Sequence, residues 1–180
     1  KRQVKATFFS IGRDDAFSKK MYQRIVKEGH TLGMHSYSHQ YKEIYQSMDA
    51  FQADYERISN CLTAATGIKP LYYRFPGGST EATEKLQMTD LDAYFNAQGA
   101  SYFDWNVIAA NNTTDDVSVN KMVDSVMNGV ALYDTSIVLM YDSVDRKMTA
   151  KSLDSILDYL LKNGYEILPI DENTIPIHHS

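Results

Sequence analysis

The sequence predicts a parallel α/β protein, with strands and helices taking turns along the chain. Three observations carry that prediction. Short strand-like runs recur between longer helical patterns. Gly29, Gly67, Gly99 and Gly164 each follow a helical stretch, where a left-handed residue ends a helix. The run Ser136-Ile137-Val138-Leu139-Met140 is apolar at consecutive positions, as a strand buried on both faces must be. Six strands and five helices in alternation give a parallel sheet, open or curled into a barrel.

The elements follow in order. Residues 4–11 read as the first strand, and Met21, Tyr22, Ile25 and Val26 mark the first helix. Residues 31–35 form the second strand. Phe51, Tyr55, Ile58, Leu62 and Ala65 recur at steps of four, three, four and three, the period of a helix face. Residues 71–75 form the third strand, and Leu86, Leu91, Tyr94 and Phe95 mark a less regular third helix. Residues 102–107 read as the fourth strand. Ser118 suits the N-cap of a fourth helix carrying Val119, Met122, Val123 and Val126. The fifth strand spans residues 137–141. Leu153, Ile156, Leu157, Leu160 and Leu161 mark the fifth helix, and residues 166–170 the sixth strand. No repeat, low-complexity segment or linker interrupts this, so residues 1–180 read as a single domain.

Composition excludes several classes of function. At 180 residues the chain is long enough for a substantial core, and 43% hydrophobic with 23% charged residues is ordinary for a soluble globular protein. A net charge of −5 and the lack of any basic run argue against nucleic acid as a partner. No apolar stretch is long enough to span a membrane. Cys61 is the sole cysteine and falls in a helical pattern, so it reads as a buried structural thiol. The chain opens directly on a strand-like run with no Met or leader, which we read as a truncated or processed chain.

In parallel α/β proteins, ligands gather at the carboxyl ends of the strands. His35 ends the second strand, Arg74 the third and Tyr141-Asp142 the fifth, while Asp104, Trp105 and Asn106 lie in or near the end of the fourth. These residues mark one rim as a functional cleft. His35 and His39, four residues apart, can share a divalent cation, for which neutral imidazole is a common ligand. The bland reading is two loop histidines that are merely hydrogen-bonded. A metalloprotease helix needs Glu after the first histidine, and Ser36 stands there instead. In Tyr73-Arg74-Phe75-Pro76-Gly77-Gly78-Ser79 the glycines allow close backbone approach to a ligand, and Arg74 can grip a carboxylate. The alternative is a strand-ending turn with a surface arginine. Trp105 either stacks on a sugar face or fills the core, and Asp14-Asp15 read as a solvated loop.

Taken together, these motifs resemble the polysaccharide deacetylase family, also called the NodB homology domain or carbohydrate esterase family four. The resemblance runs from Lys5-Ala6-Thr7-Phe8-Phe9 through residues 28–39 and Arg74-Phe75-Pro76-Gly77-Gly78 to Trp105-Asn106-Val107 and Val138-Leu139-Met140-Tyr141-Asp142. It implies a distorted parallel β/α barrel whose first strand is missing here. It also implies a hydrolase of carbon–nitrogen bonds other than peptide bonds, which removes acetyl groups from peptidoglycan- or chitin-like glycans. The implied cofactor is a divalent metal ion, with zinc expected, held by His35 and His39. Arg74 would orient a base carboxylate, Gly77 backbone would help hold an oxyanion, and Phe75, Pro76 and Trp105 would line the substrate groove. A secreted or cell-surface monomer is the implied setting.

Three departures accompany the resemblance. The family's Thr-Phe-Asp-Asp-Gly motif, which supplies the base and the third metal ligand, does not occur in these residues. The histidine that protonates the leaving amine is replaced by Tyr141, and the aspartate that orients it aligns with Asn111. Weak activity is therefore expected. A non-catalytic relative that binds glycans is the alternative.

Overall fold

A computed structural model describes residues 3–109, 117–143 and 146–179. Asn111 lies outside the described residues. The chain folds into two compact units, one of residues 1–104 with 168–180, the other of residues 105–167.

The first unit holds a four-stranded parallel sheet in sequential order: β1 (Thr7–Ile11), β2 (Thr31–Ser36), β3 (Tyr72–Tyr73) and β4 (Ser101–Tyr102). Helices α1 (Ala16–Lys27), α2 (Tyr41–Ile44), α3 (Met48–Thr66), α4 (Ser79–Thr83) and α5 (Met88–Gln98) connect the strands. Local chemistry sets the helix ends. Asp15 caps α1 by accepting from the Ser18 amide, and Ser47 caps α3 by accepting from the Ala50 amide. Gly67 ends α3 at φ 76°, a conformation open to glycine at little cost. The α2 and α4 helices escape sequence reading because a single turn is too short to show a period.

The second unit holds the parallel pair β5 (Val107–Ile108) and β6 (Val138–Leu139), with α6 (Val119–Val130) and α7 (Lys147–Lys162). Ser118 caps α6, as its position predicts, accepting from the Lys121 amide. Val107, Ala109, Val126, Val130, Ile156 and Leu160 form its core.

Two expected strands need correction. Residues 102–107 do not form one strand but contribute to β4 and β5, with an irregular stretch between. There the Asp104 amide donates to the Ile177 carbonyl, and the Asn106 side chain takes the Ile137 amide and the Thr135 carbonyl. Residues 166–170 form no strand. Pro169 has no amide to give, and Ile170 is held instead by the side chains of Thr7 and Thr31.

The first core is strongly aromatic. Phe51, Tyr55, Tyr73, Phe75, Phe95 and Tyr102 are all buried, with ring centroids 5.0–6.3 Å apart in mostly edge or tilted contacts. Burial pushes the phenols of Tyr22, Tyr94 and Tyr102 up to about 12, and raises those of Tyr45, Tyr55 and Tyr73 as well. The unfolded chain loses these protons near pH 10 while the folded chain keeps them, so stability present below pH 10 is lost as pH rises toward 12. Urea unfolding followed by far-UV circular dichroism, repeated from pH 8 to 12, is expected to show a midpoint that falls from about pH 10 upward. A midpoint flat to pH 12 would refute the burial of these phenols.

Candidate metal and substrate site

The two histidines sit where β2 ends and its loop begins. Pairing between β1 and β2 runs in step from Thr7 with Thr31 to Ser10 with Met34, then slips so that Ile11 faces Ser36. His35 is the residue passed over. Such irregularities re-aim side chains, and this one leaves Met34 and Ser36 buried on either side of the imidazole. His39 takes a left-handed backbone at φ 56°, uncommon for a residue with a Cβ. Together these features bring the two ring centroids to 5.1 Å.

The His35 ring has a fixed tautomer. Its Nδ1 lies 2.7 Å from the Arg74 carbonyl oxygen. A carbonyl only accepts, so Nδ1 carries the proton and Nε2 keeps its lone pair. Burial pushes the His35 imidazole down to about 4, with the neighbouring His39 acting in the same direction against the Arg74 carbonyl bond. Burial lowers His39 too, helped by the nearby Arg13. Both rings are thus neutral near pH 7, the form that binds a metal. The pair fits two positions of a zinc-like cation. Among the described residues, no group of three or more His, Cys, Asp or Glu side chains converges as a metal site.

The loop between the histidines is fastened from α3. Asp54 Oδ2 accepts from Ser36 Oγ at 2.7 Å and the Tyr37 amide at 2.9 Å, while Oδ1 accepts from the Ser38 amide at 2.9 Å. Ser36 Oγ in turn accepts from the His39 amide at 2.8 Å. Sequence reading missed Asp54. A signal existed: it lies three residues after Phe51 and four before Ile58, a carboxylate on an otherwise apolar helix face. Asp14 and Asp15 lie exposed in a loop, as the sequence reading expects, and both also make defined hydrogen bonds. Asp14 accepts from Tyr37 Oη, whose ring also carries the Arg57 guanidinium 3.6 Å from its centroid, and Asp15 is the α1 cap.

Arg74 is buried rather than on the surface. Its Nε and Nη2 donate to the carbonyls of Phe103 and Asp104, and its guanidinium lies 4.3 Å from the Phe9 ring centroid. The Phe75 ring is packed in the aromatic core, so only its backbone can meet a ligand. Pro76 is fixed by Tyr45 Oη on its carbonyl. Gly77 is exposed at φ 81°, and a Cβ there would stand 2.8 Å from Glu81 Cβ, so only glycine makes this turn without strain. In the second unit Trp105 is partly buried, and Tyr141 follows β6 with the Arg146 guanidinium 5.9 Å from its ring centroid. Cys61 is buried as expected, with its thiol pushed up by that burial.

Comparison with known proteins shows a family and a fold. The polysaccharide deacetylase family model matches residues 1–95. The putative polysaccharide deacetylase YheN of Bacillus subtilis (strain 168) is 25% identical over 179 residues, covering 97% of this chain and 61% of that protein. The chain spans 26–61% of the lengths of the first curated relatives it matches. The catalytic domain of peptidoglycan N-acetylglucosamine deacetylase from Eubacterium rectale ATCC 33656 superposes with a TM-score of 0.89 at 33% identity, covering 99% of this chain and 82% of that one. A mutant of BA3943, described as a CE4 family pseudoenzyme with restored enzymatic activity, superposes with a TM-score of 0.73 at 25% identity, covering 93% of this chain and 56% of that one. The wild-type BA3943 is from Bacillus anthracis. This chain belongs to the polysaccharide deacetylase family.

Proposed function

We propose that this protein is a metal-dependent hydrolase that removes N-acetyl groups from an N-acetylated, peptidoglycan- or chitin-like glycan at the cell surface. The observation that supports it most is the pair of neutral imidazoles 5.1 Å apart, with His35 Nε2 left free to bind by the Nδ1 bond to Arg74. His35 and His39 supply two ligands and leave positions for water, substrate and a carboxylate. A bound zinc-like ion would polarise the acetyl carbonyl and make water a nucleophile near neutral pH.

The residues of the chain hold the rest in place. Arg74 ties the end of β3 to the carbonyls of Phe103 and Asp104, and its own carbonyl aims the His35 ring. Phe75 and Pro76 anchor the turn from beneath. Exposed Gly77 lets a substrate oxygen come close to main-chain amides. Trp105 offers a face on which a sugar ring stacks. Tyr141 stands where the family resemblance places the proton donor to the leaving amine, and a phenol is a poorer donor than an imidazolium.

Zinc-titration calorimetry, paired with an acetate-release assay on N-acetylglucosamine oligomers, tests the proposal. The wild-type protein is expected to bind zinc, and His35→Ala to bind it at least about 100-fold more weakly. Acetate release is expected only with metal. A wild-type protein with no zinc affinity would end the metal-dependent reading. Tyr141 also favours a second reading, a glycan binder of little or no activity, for which metal binding without acetate release is the signature.

A further inference from the structure

His39 is the weak point of the metal pair. It lies beyond the strand, on a loop, in a backbone conformation that costs of the order of a kilocalorie for a residue with a Cβ. Something must hold it there. The amides of Tyr37, Ser38 and His39 are all captured, the first two by Asp54 directly and the third by Ser36 Oγ, whose own proton goes to Asp54. One carboxylate thus closes a chain of four hydrogen bonds around the turn that separates the imidazoles. Ser36 is fully buried, so its hydroxyl has no water to replace that acceptor.

We propose that Asp54 is a positioning residue for metal binding, which fixes His39 against His35 through Ser36 and the loop amides without touching the ion. The inference rests on the metal reading above. The carboxylate suits the task because it offers acceptor positions only, and all three groups facing it are donors. An asparagine of the same size turns an amide NH₂ toward one of these donors. The loop then loses at least one clasp, and His39 is free to leave the left-handed region.

Asp54→Asn is the test, with Leu62→Ala as a control that destabilises the same helix by emptying a core position remote from the loop. By calorimetry, Asp54→Asn is expected to bind zinc about 10–100-fold more weakly than wild type, and Leu62→Ala to bind it as wild type does. Ser36→Ala, which keeps Asp54 but removes the His39 clasp, is expected to fall between them. Wild-type zinc affinity in Asp54→Asn overturns the proposal, as does an equal loss in Leu62→Ala. Were the wild-type protein to bind no zinc, the metal reading would fail on its own. Amide exchange at Tyr37, Ser38 and His39 then decides the positioning role: faster exchange in Asp54→Asn than in Leu62→Ala supports it, and equal exchange refutes it.

Discussion

In protein that also carries the Asp-Asp motif not found in these residues, Tyr141→His is expected to raise zinc-dependent acetate release from N-acetylglucosamine oligomers by about 10²–10⁴-fold over Tyr141. The reason is proton affinity. A leaving amine needs a proton as the carbon–nitrogen bond breaks, and the best donor has a pKa near the working pH. Phenol has a reference value of about 10, whereas imidazolium has one of about 6.5. Tyr141 follows β6, at the position where the resemblance expects histidine. Since the acid must be protonated to act, the variant's rate is expected to fall as pH rises past the histidine's pKa. Equal turnover in the two proteins would refute the role given to this position. Acetate release absent from both, with zinc bound, would favour the glycan-binding reading.

What the sequence discloses here is the part set by local pattern. The stepped apolar residues of α3, from Phe51 to Ala65, announce the helix because each residue four or three further on shares a face. The His35–His39 spacing and the Gly77-Gly78 turn stand in the chain as contiguous motifs, so the candidate ligands are legible directly. Other parts depend on contacts between distant positions. Asp54 serves a loop eighteen to sixteen residues earlier, and nothing in either segment names the other. The split between β4 and β5 has the same cause. Residues 102–107 look like a continuous strand until Asp104 is seen to take its main-chain partner from Ile177. Arg74 reads from sequence either as a rim residue that grips a carboxylate or as a surface arginine, and packing buries it with two of its donors on carbonyls at the next strand's end. Motif and chemistry are visible in the chain, and the direction of each side chain is settled only by packing.

Asp104→Ala is expected to cost the fold about 3–5 kcal/mol, a large share of the roughly 5–15 kcal/mol that holds a typical domain together. Asp104 is wholly buried, and its carboxylate accepts from the Ser79 amide at 2.9 Å, Ser79 Oγ at 2.5 Å and the His179 amide at 2.9 Å. Burying a charge is unfavourable in itself, so a well-packed apolar replacement of the whole cluster would cost little. Alanine removes only the acceptor. Two amides and a buried hydroxyl then lose their partner, and each such loss to a charged acceptor costs about 1.5–3 kcal/mol before relaxation. Part of this is recovered, because the His179 amide also reaches Ser79 Oγ at 3.3 Å. Asp104→Asn keeps one carbonyl acceptor and is expected to lose about half as much. The loss has a direction as well as a size. His179 belongs to the returning segment that also places Ile177 on the Asp104 amide and stacks His178 on Tyr102 at 3.9 Å. Loosening that carboxylate frees the segment first, so amide exchange at Ile177, His178 and His179 is expected to be faster in Asp104→Ala than in wild type. Urea unfolding measures the total. A variant within about 1 kcal/mol of wild type would show that this carboxylate is not the clasp its hydrogen bonds describe.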